Sequence, residues 1–187
     1  MEENTLNKNL WQASGTAGLV LGSVSAVYLF LGNLLAGTAE QATLLQSVLT
    51  MGLWSTKFIA CIWLMKFFMM KFAFENPEAD KKKIFKMGML TALHSSILFS
   101  GVYLADILYI SPDLYENAFQ QTIVLIKEAL QLDANTLAAL EETHISPSML
   151  FLNNMTYCFL YGTIVAALVS FSGKLNNTFT EHKQDEQ

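Results

Sequence analysis

The sequence contains few charges, few prolines and few cysteines. Charged residues make up 14% of its 187 residues, and it has three prolines, two cysteines and no arginine. Two cysteines cannot form the disulfide framework of a small secreted domain, and neither Cys61 nor Cys158 has the nearby histidine typical of a zinc site. We therefore expect no metal and no other cofactor. The chain also lacks a glycine-rich phosphate loop and paired carboxylates within an apolar segment, which argues against an enzyme.

Four long apolar stretches carry most of the chain. They run approximately over residues 13–35, 44–65, 87–107 and 149–171. Each has about twenty residues, enough at about 1.5 Å per residue to cross a hydrocarbon core of about 30 Å. A soluble helical bundle is the alternative, but burying four such helices needs a far larger domain. The sequence therefore predicts an all-α, integral membrane four-helix bundle, with residues 1–187 as a single membrane domain.

The first stretch also has to be weighed as a secretory signal. Its apolar run is longer than the usual run of about 7 to 15 residues, and only Lys8 precedes it. The small residues at 36–39 resemble a cleavage site, so removal of this span stays open as an alternative.

Lysines and acidic residues lie at opposite ends of the predicted bundle. Lysines flank the connection between the second and third stretches, and we call this the lysine-rich end; acids dominate the first and third connections. By the positive-inside rule, the lysine-rich end faces the cytoplasm. We therefore predict cytoplasmic N- and C-termini and a polar cytoplasmic tail over 172–187. The lysines are Lys66, Lys71, Lys81, Lys82, Lys83 and Lys86, with Lys8, Lys174 and Lys183 near the termini, and the acids include Glu40, Asp113, Glu116, Glu128, Asp133, Glu141 and Glu142.

Residues 111–147 form the one sizeable connection outside the predicted bilayer. Ser111, Pro112 and Asp113 are typical of a helix start, because serine caps the first amides and aspartate complements the helix dipole. Asp133 can cap a second short helix, and the Ser146-Pro147 pair repeats the starting signal. The pattern predicts an extracytoplasmic helical hairpin that serves either as a lid over the bundle or as a docking face for another protein.

Two ionisable residues inside the stretches are candidates for an intramembrane polar site. Lys57 precedes Lys66 by nine residues and His94 follows Lys86 by eight, which places both about 12 to 14 Å from the lysine-rich end. Helical periodicity directs both side chains into the bundle, where they can meet. A lysine at that depth costs about 2.5 to 3.5 kcal/mol, so such residues are candidates for function. The structural alternative stays open, since lysine can snorkel and histidine can bond to a neighbouring helix.

Other polar and small residues suggest roles in packing. Asp106, Asn153 and Asn154 all fall at the outer boundary, where we expect a hydrogen-bonded polar cluster, with a solute gate as the alternative. In the first stretch, small residues recur every four positions, which favours close helix packing within the chain, with self-association as the alternative. These small residues are Ser14, Gly18, Gly22 and Ala26.

The predicted partners are all in the membrane. The run Lys81, Lys82 and Lys83 can contact anionic headgroups, at about 1 kcal/mol for each lysine. Besides the lipid bilayer, we expect a membrane-protein partner or a homo-oligomer, and no nucleic acid.

Several features together resemble a family of bacterial inner-membrane proteins. They are the order of four spans, the sequence Ile84-Phe85-Lys86-Met87-Gly88, the sequence Ser111-Pro112-Asp113-Leu114-Tyr115-Glu116, and the helical insert before Pro147. The chain resembles the domain of unknown function 4199 family, found mainly in Bacteroidetes. The resemblance implies a four-helix fold in a bacterial cytoplasmic membrane and brings no activity or catalytic residues.

Two functions follow from these observations. The first is a non-catalytic structural or accessory membrane protein that binds a membrane partner or lipid. The second is a small oligomeric transporter or channel that passes a proton or small solute beside Lys57 and His94. A membrane hydrolase would need a nucleophile and a base on facing helices, for which Cys61 and His94 are the available pair.

Overall fold

The described part of the chain is helical and contains no strand. The computed structural model describes residues 2–37, 44–130 and 146–171. Four helices are long and apolar enough to cross a membrane, over Leu6–Leu35, Ser47–Glu75, Lys81–Ile110 and Pro147–Phe171. The predicted all-α bundle with four spans is therefore confirmed. The elements in chain order are α1 (Glu2–Gly37), α2 (Leu44–Glu75), α3 (Lys81–Ala105), a π-helical turn (Asp106–Ile110), α4 (Pro112–Leu130) and α5 (Pro147–Phe171).

The helices extend further at the lysine-rich end than the apolar stretches predicted. α2 continues to Glu75 and α3 begins at Lys81, whereas the apolar runs end near residue 65 and begin near residue 87. The expected boundaries were too short because apolar run length measures only the part suited to hydrocarbon. Lysine and glutamate favour helix as well, and Lys71 pairs with Glu75 one turn later at 3.8 Å.

The insert begins where its capping residues predicted. α4 starts at Pro112, and α5 starts at Pro147, where Ser146 Oγ accepts a hydrogen bond from the Met149 N–H at 3.3 Å. The predicted second helix from Asp133 and the tail over 172–187 lie outside the described residues.

The stripe of small residues on α1 packs against α3 of the same chain. Ser14, Gly18, Gly22 and Ala26 are all buried. A Cβ atom added to Gly18 would collide with the Cβ of His94, and one added to Gly22 would lie 2.7 Å from a methyl group of Leu98. The absence of side chains on these glycines therefore sets the distance between α1 and α3.

α5 approaches the other side of α3 by the same means. A Cβ atom on Gly162 of α5 would lie 2.6 Å from the Cβ of Ala92, and one on Gly88 of α3 would lie 2.7 Å from the Cβ of Ala166. α3 packs most extensively on α1 and α5, so it is the central helix of the bundle.

The tightly packed core occupies the half of the bundle nearer the lysine-rich end. α2 takes part in it only through its second half, whereas Leu45, Met51 and Trp54 in its first half are exposed by 65% or more. The four helices are therefore closely packed near the lysine-rich end. Towards the other end α2 is largely exposed but stays beside α1, where a Cβ atom on Gly32 would lie 3.9 Å from a methyl group of Leu53. The core includes Leu6, Leu10, Met65, Met69, Phe72, Ile84, Met87, Leu90, Ala92, Val165, Ala166 and Val169.

A buried asparagine fixes the turn between α2 and α3. The Asn76 side chain donates to the Phe72 carbonyl at 2.9 Å and accepts from Asn9 Nδ2 of α1 at 3.2 Å. The Asp80 carboxylate then accepts from the Lys83 N–H at 2.9 Å and caps α3. The lysine-rich ends of α1, α2 and α3 are thereby joined.

Substituting leucine at Gly18 should separate α1 from α3, because a side chain there meets the backbone and Cβ of α3. We expect a loss of stability of about 1 to 3 kcal/mol, as for other overpacked sites, measured by denaturation in detergent micelles. Gly15→Leu is the matched control on the same helix, since its Cβ position has no atom within 4 Å. Equal stability of the two variants would contradict this account of the packing.

Candidate intramembrane site

A cavity of about 630 Å³ lies between α1, α2, α3 and α5. Along α2 its wall runs from Trp54 to Met65, a length of about 16 Å at about 1.5 Å per residue. Met65, Ala92 and Val165 line its lysine-rich end, and all three belong to the closely packed core. The cavity is therefore closed towards the lysine-rich end.

The cavity opens sideways between α2 and α5. Trp54 on α2 and Tyr157 on α5 both line it and are 65% and 77% exposed. Because the exposed surface of a spanning helix faces acyl chains, a molecule dissolved in the bilayer can reach the cavity laterally.

Lys57 is the charged residue in the cavity wall. Its Nζ lies 4.4 Å from the centroid of the Phe99 ring, which gives the ammonium a cation–π contact. Among the residues whose side chains the structure describes, no carboxylate lies within salt-bridge distance of Lys57. An ammonium that lies in a largely apolar cavity without a described counter-charge attracts an anion.

The wall around Lys57 also carries neutral polar groups. The Tyr161 hydroxyl is buried and has no hydrogen-bond partner in the described structure. Ser25 Oγ lies 3.7 Å from Cys61 Sγ, and Asn154 Nδ2 donates to Ser100 Oγ at 3.1 Å. Among these groups the Tyr161 hydroxyl is the one that is buried without a partner.

His94 lies apart from Lys57, so the structure does not bring the predicted pair together. The imidazole packs edge-on against the Trp11 ring at 5.8 Å between centroids, on the side of α3 that faces Gly18. It does not line the cavity, and its Nδ1 is buried without a partner in the described structure. Phe99, five residues later on α3, points instead to Lys57. Cys61 shares the cavity with Lys57, so the Cys61 and His94 pair is separated as well.

A buried carboxylate at the α4 end organises a polar network. Asp106 is fully buried and accepts hydrogen bonds from Asn33 Nδ2 at 2.6 Å, from the Tyr115 hydroxyl at 2.8 Å and from Ser111 Oγ at 3.3 Å. The π-helical turn places these groups around Asp106, and the Ser111 N–H also bonds to the Asp106 carbonyl at 2.8 Å. This network joins α1, the end of α3 and the first turns of α4.

The predicted cluster of Asp106 with Asn153 and Asn154 is not formed. Asn153 is exposed, and Asn154 bonds to Ser100 of α3, six residues before Asp106. Similar depth along the membrane normal was the basis of that prediction, and depth does not determine which side of α3 each residue meets.

The residues that sequence reasoning missed are Asn33, Tyr115 and Tyr161. Asn33 is polar and lies near the end of the first apolar stretch, and this position could have indicated a hydrogen bond to another polar group at that end. Tyr115 reaches Asp106, nine positions earlier, because of the π-helical turn, and no pattern in the sequence predicts that turn.

The run Lys81, Lys82 and Lys83 lies at the start of α3, and Lys81 and Lys82 are exposed.

Comparisons with known proteins give no assignment. No family model, no curated protein and no solved structure matches the chain. The resemblance to the domain of unknown function 4199 family therefore stays a prediction.

Replacing Asp106 with alanine should loosen α4, since three donors lose their shared buried acceptor. We expect a loss of about 1 to 3 kcal/mol and faster amide exchange over 111–126, measured by hydrogen–deuterium exchange mass spectrometry. Asp113→Ala, at an exposed position in the first turn of α4, is the control. Unchanged exchange in Asp106→Ala would rule out a structural role for this network.

Alkaline pH should weaken the same contact through Tyr115. Burial, and then its hydrogen bond to Asp106, raise the pKa of Tyr115 above its ordinary value of 10.0. The neutral phenol is thus favoured in the folded state, so its contribution is complete below pH 10 and declines as pH rises above that value. The decline in thermal stability above pH 10 should be shallower in Tyr115→Phe than in the native protein. Identical slopes would show that this hydroxyl does not bond to Asp106.

Proposed function

We propose that this chain is a non-catalytic accessory protein of a bacterial cytoplasmic membrane that holds a lipid or other bilayer component in its intramembrane cavity. The observation that supports this function is the shape of the cavity, which opens sideways between α2 and α5 and ends against the packed core. A site of this shape admits a molecule from the bilayer and retains it.

The proposed orientation places both termini in the cytoplasm. It is supported by the exposed Lys81 and Lys82 at the start of α3, which suit an anionic leaflet surface. The cavity-lining residues of α2, from Trp54 to Met65, lie around the middle of the Ser47–Glu75 span, so the cavity would lie near the middle of the bilayer. We also propose membership of the domain of unknown function 4199 family, on the sequence features given above.

The transporter alternative has one observation in its favour, the unneutralised Lys57 within the span. Two observations count against it. The cavity does not continue past Met65 towards the lysine-rich end, and His94, the proposed second member of a proton path, faces α1. A path through the bundle would require the core to separate.

Native mass spectrometry of the purified protein tests the binding function. We expect a bilayer molecule to copurify with the native protein and with Lys71→Met, and to be lost from Lys57→Met. Lys71 lies on the same helix but outside this cavity, beside Glu75, so it controls for the loss of a lysine as such.

Reconstitution in liposomes distinguishes the transporter. The accessory function predicts proton flux no greater than that of empty vesicles, followed with an entrapped pH-sensitive dye. Flux that is present in the native protein and in Lys71→Met but absent from Lys57→Met would overturn the proposal, as would copurification of no molecule at all.

A further inference from the structure

We propose that the cavity binds a single-chain amphiphile with one carboxylate, of the fatty-acid class. The carboxylate would lie between Lys57 and the Tyr161 hydroxyl, and the chain would follow the apolar wall. This inference rests on the proposed function and names the ligand for the same site.

The charge of the site matches one carboxylate. Lys57 supplies a positive charge, and no described carboxylate neutralises it. Tyr161 supplies a buried hydroxyl that lacks an acceptor. Both residues line the cavity, and the Tyr161 ring packs on Phe58, the residue that follows Lys57, at 5.2 Å between centroids. A carboxylate has two oxygens and can accept from both donors.

The remaining wall suits an acyl chain. Leu21, Leu29, Ile62 and Val165 are among the apolar side chains that surround the cavity. A volume of about 630 Å³ falls within the range of about 300 to 1,000 Å³ that holds a small organic ligand. The long axis of about 16 Å follows the helices, so the cavity is shaped for an extended chain.

The depth of Lys57 favours a carboxylic acid over a phospholipid headgroup. Lys57 lies about 13 Å from the level of Lys66, within the span. A phosphate diester keeps its charge and stays at the interface, since a buried ion without water is costly. A carboxylic acid can become neutral by taking up a proton, cross the apolar region and ionise again beside the ammonium.

Photoaffinity labelling tests this assignment. The probe is palmitate with a diazirine near the end of its chain, added to the purified native protein in lipid nanodiscs. We expect labelled residues on α2 and α5 at the cavity wall, located by peptide mass spectrometry. Unlabelled palmitate should compete, whereas hexadecanol, which has the same chain without the carboxylate, should not.

Variants of Lys57 and Tyr161 distinguish the loss of a ligand contact from a loss of folding. Lys57→Met should lower labelling about tenfold, the change expected when a charge-assisted hydrogen bond is lost. Lys57→Arg keeps the charge and should keep labelling above that of Lys57→Met, and Tyr161→Phe should lower it by a smaller factor. Lys71→Met should label as the native protein does. Elution volume and helical circular dichroism check that each variant is folded.

Three results would overturn the assignment: equal competition by hexadecanol, unchanged labelling of folded Lys57→Met, or displacement of the probe by phosphatidylglycerol at lower concentration than by palmitate. If labelling fails while another molecule copurifies in a Lys57-dependent manner, the fatty-acid class is wrong and the binding function stands. If nothing copurifies either, both proposals fail.

Discussion

The close approach of α3 to α1 and α5 is the constraint on which the rest of the structure depends. In lipid, apolar side chains gain little by leaving acyl chains for one another, so helix contact requires backbones that can come near. Gly18, Gly88 and Gly162 provide that approach. α2 has no equivalent in its first half, where the space around Gly52 is open. The cavity borders the middle of α2, from Trp54 to Met65, where the closely packed part of this helix begins.

Along the bundle axis, the closely packed core lies near the lysine-rich end, and the cavity with its polar groups lies beyond it. Near the lysine-rich end, Met65, Met69 and Phe72 of α2 are buried in the core. Beyond them the same helix presents Lys57, which is costly in a bilayer and contributes no ion pair within the described residues. Lys57 contacts the Phe99 ring and faces a ligand-sized space, and this position is the basis of the binding function proposed above.

Much of the fold could be read from the sequence, whereas the site could be read only in part. Run length gave the four spans, capping residues gave the starts of α4 and α5, and periodicity placed Lys57 inside the bundle. Counting from the boundary lysines predicted a depth for His94 but could not predict its neighbour, since a residue on the central helix can face α1 or α5. The Asp106 network depended on a π-helical turn that changes the direction of the following residues, and hydropathy contains no information about that turn.

The Asn9 and Asn76 contact has a mechanical consequence for α2. It fixes the end of this helix that lies in the packed core, whereas Leu45, Met51 and Trp54 in its first half are largely exposed on the surface that would meet acyl chains. A change in the thickness of the surrounding leaflet would act on this exposed half of α2 and not on its fixed end, so the protein and its bilayer would together set the width of the cavity beside α2.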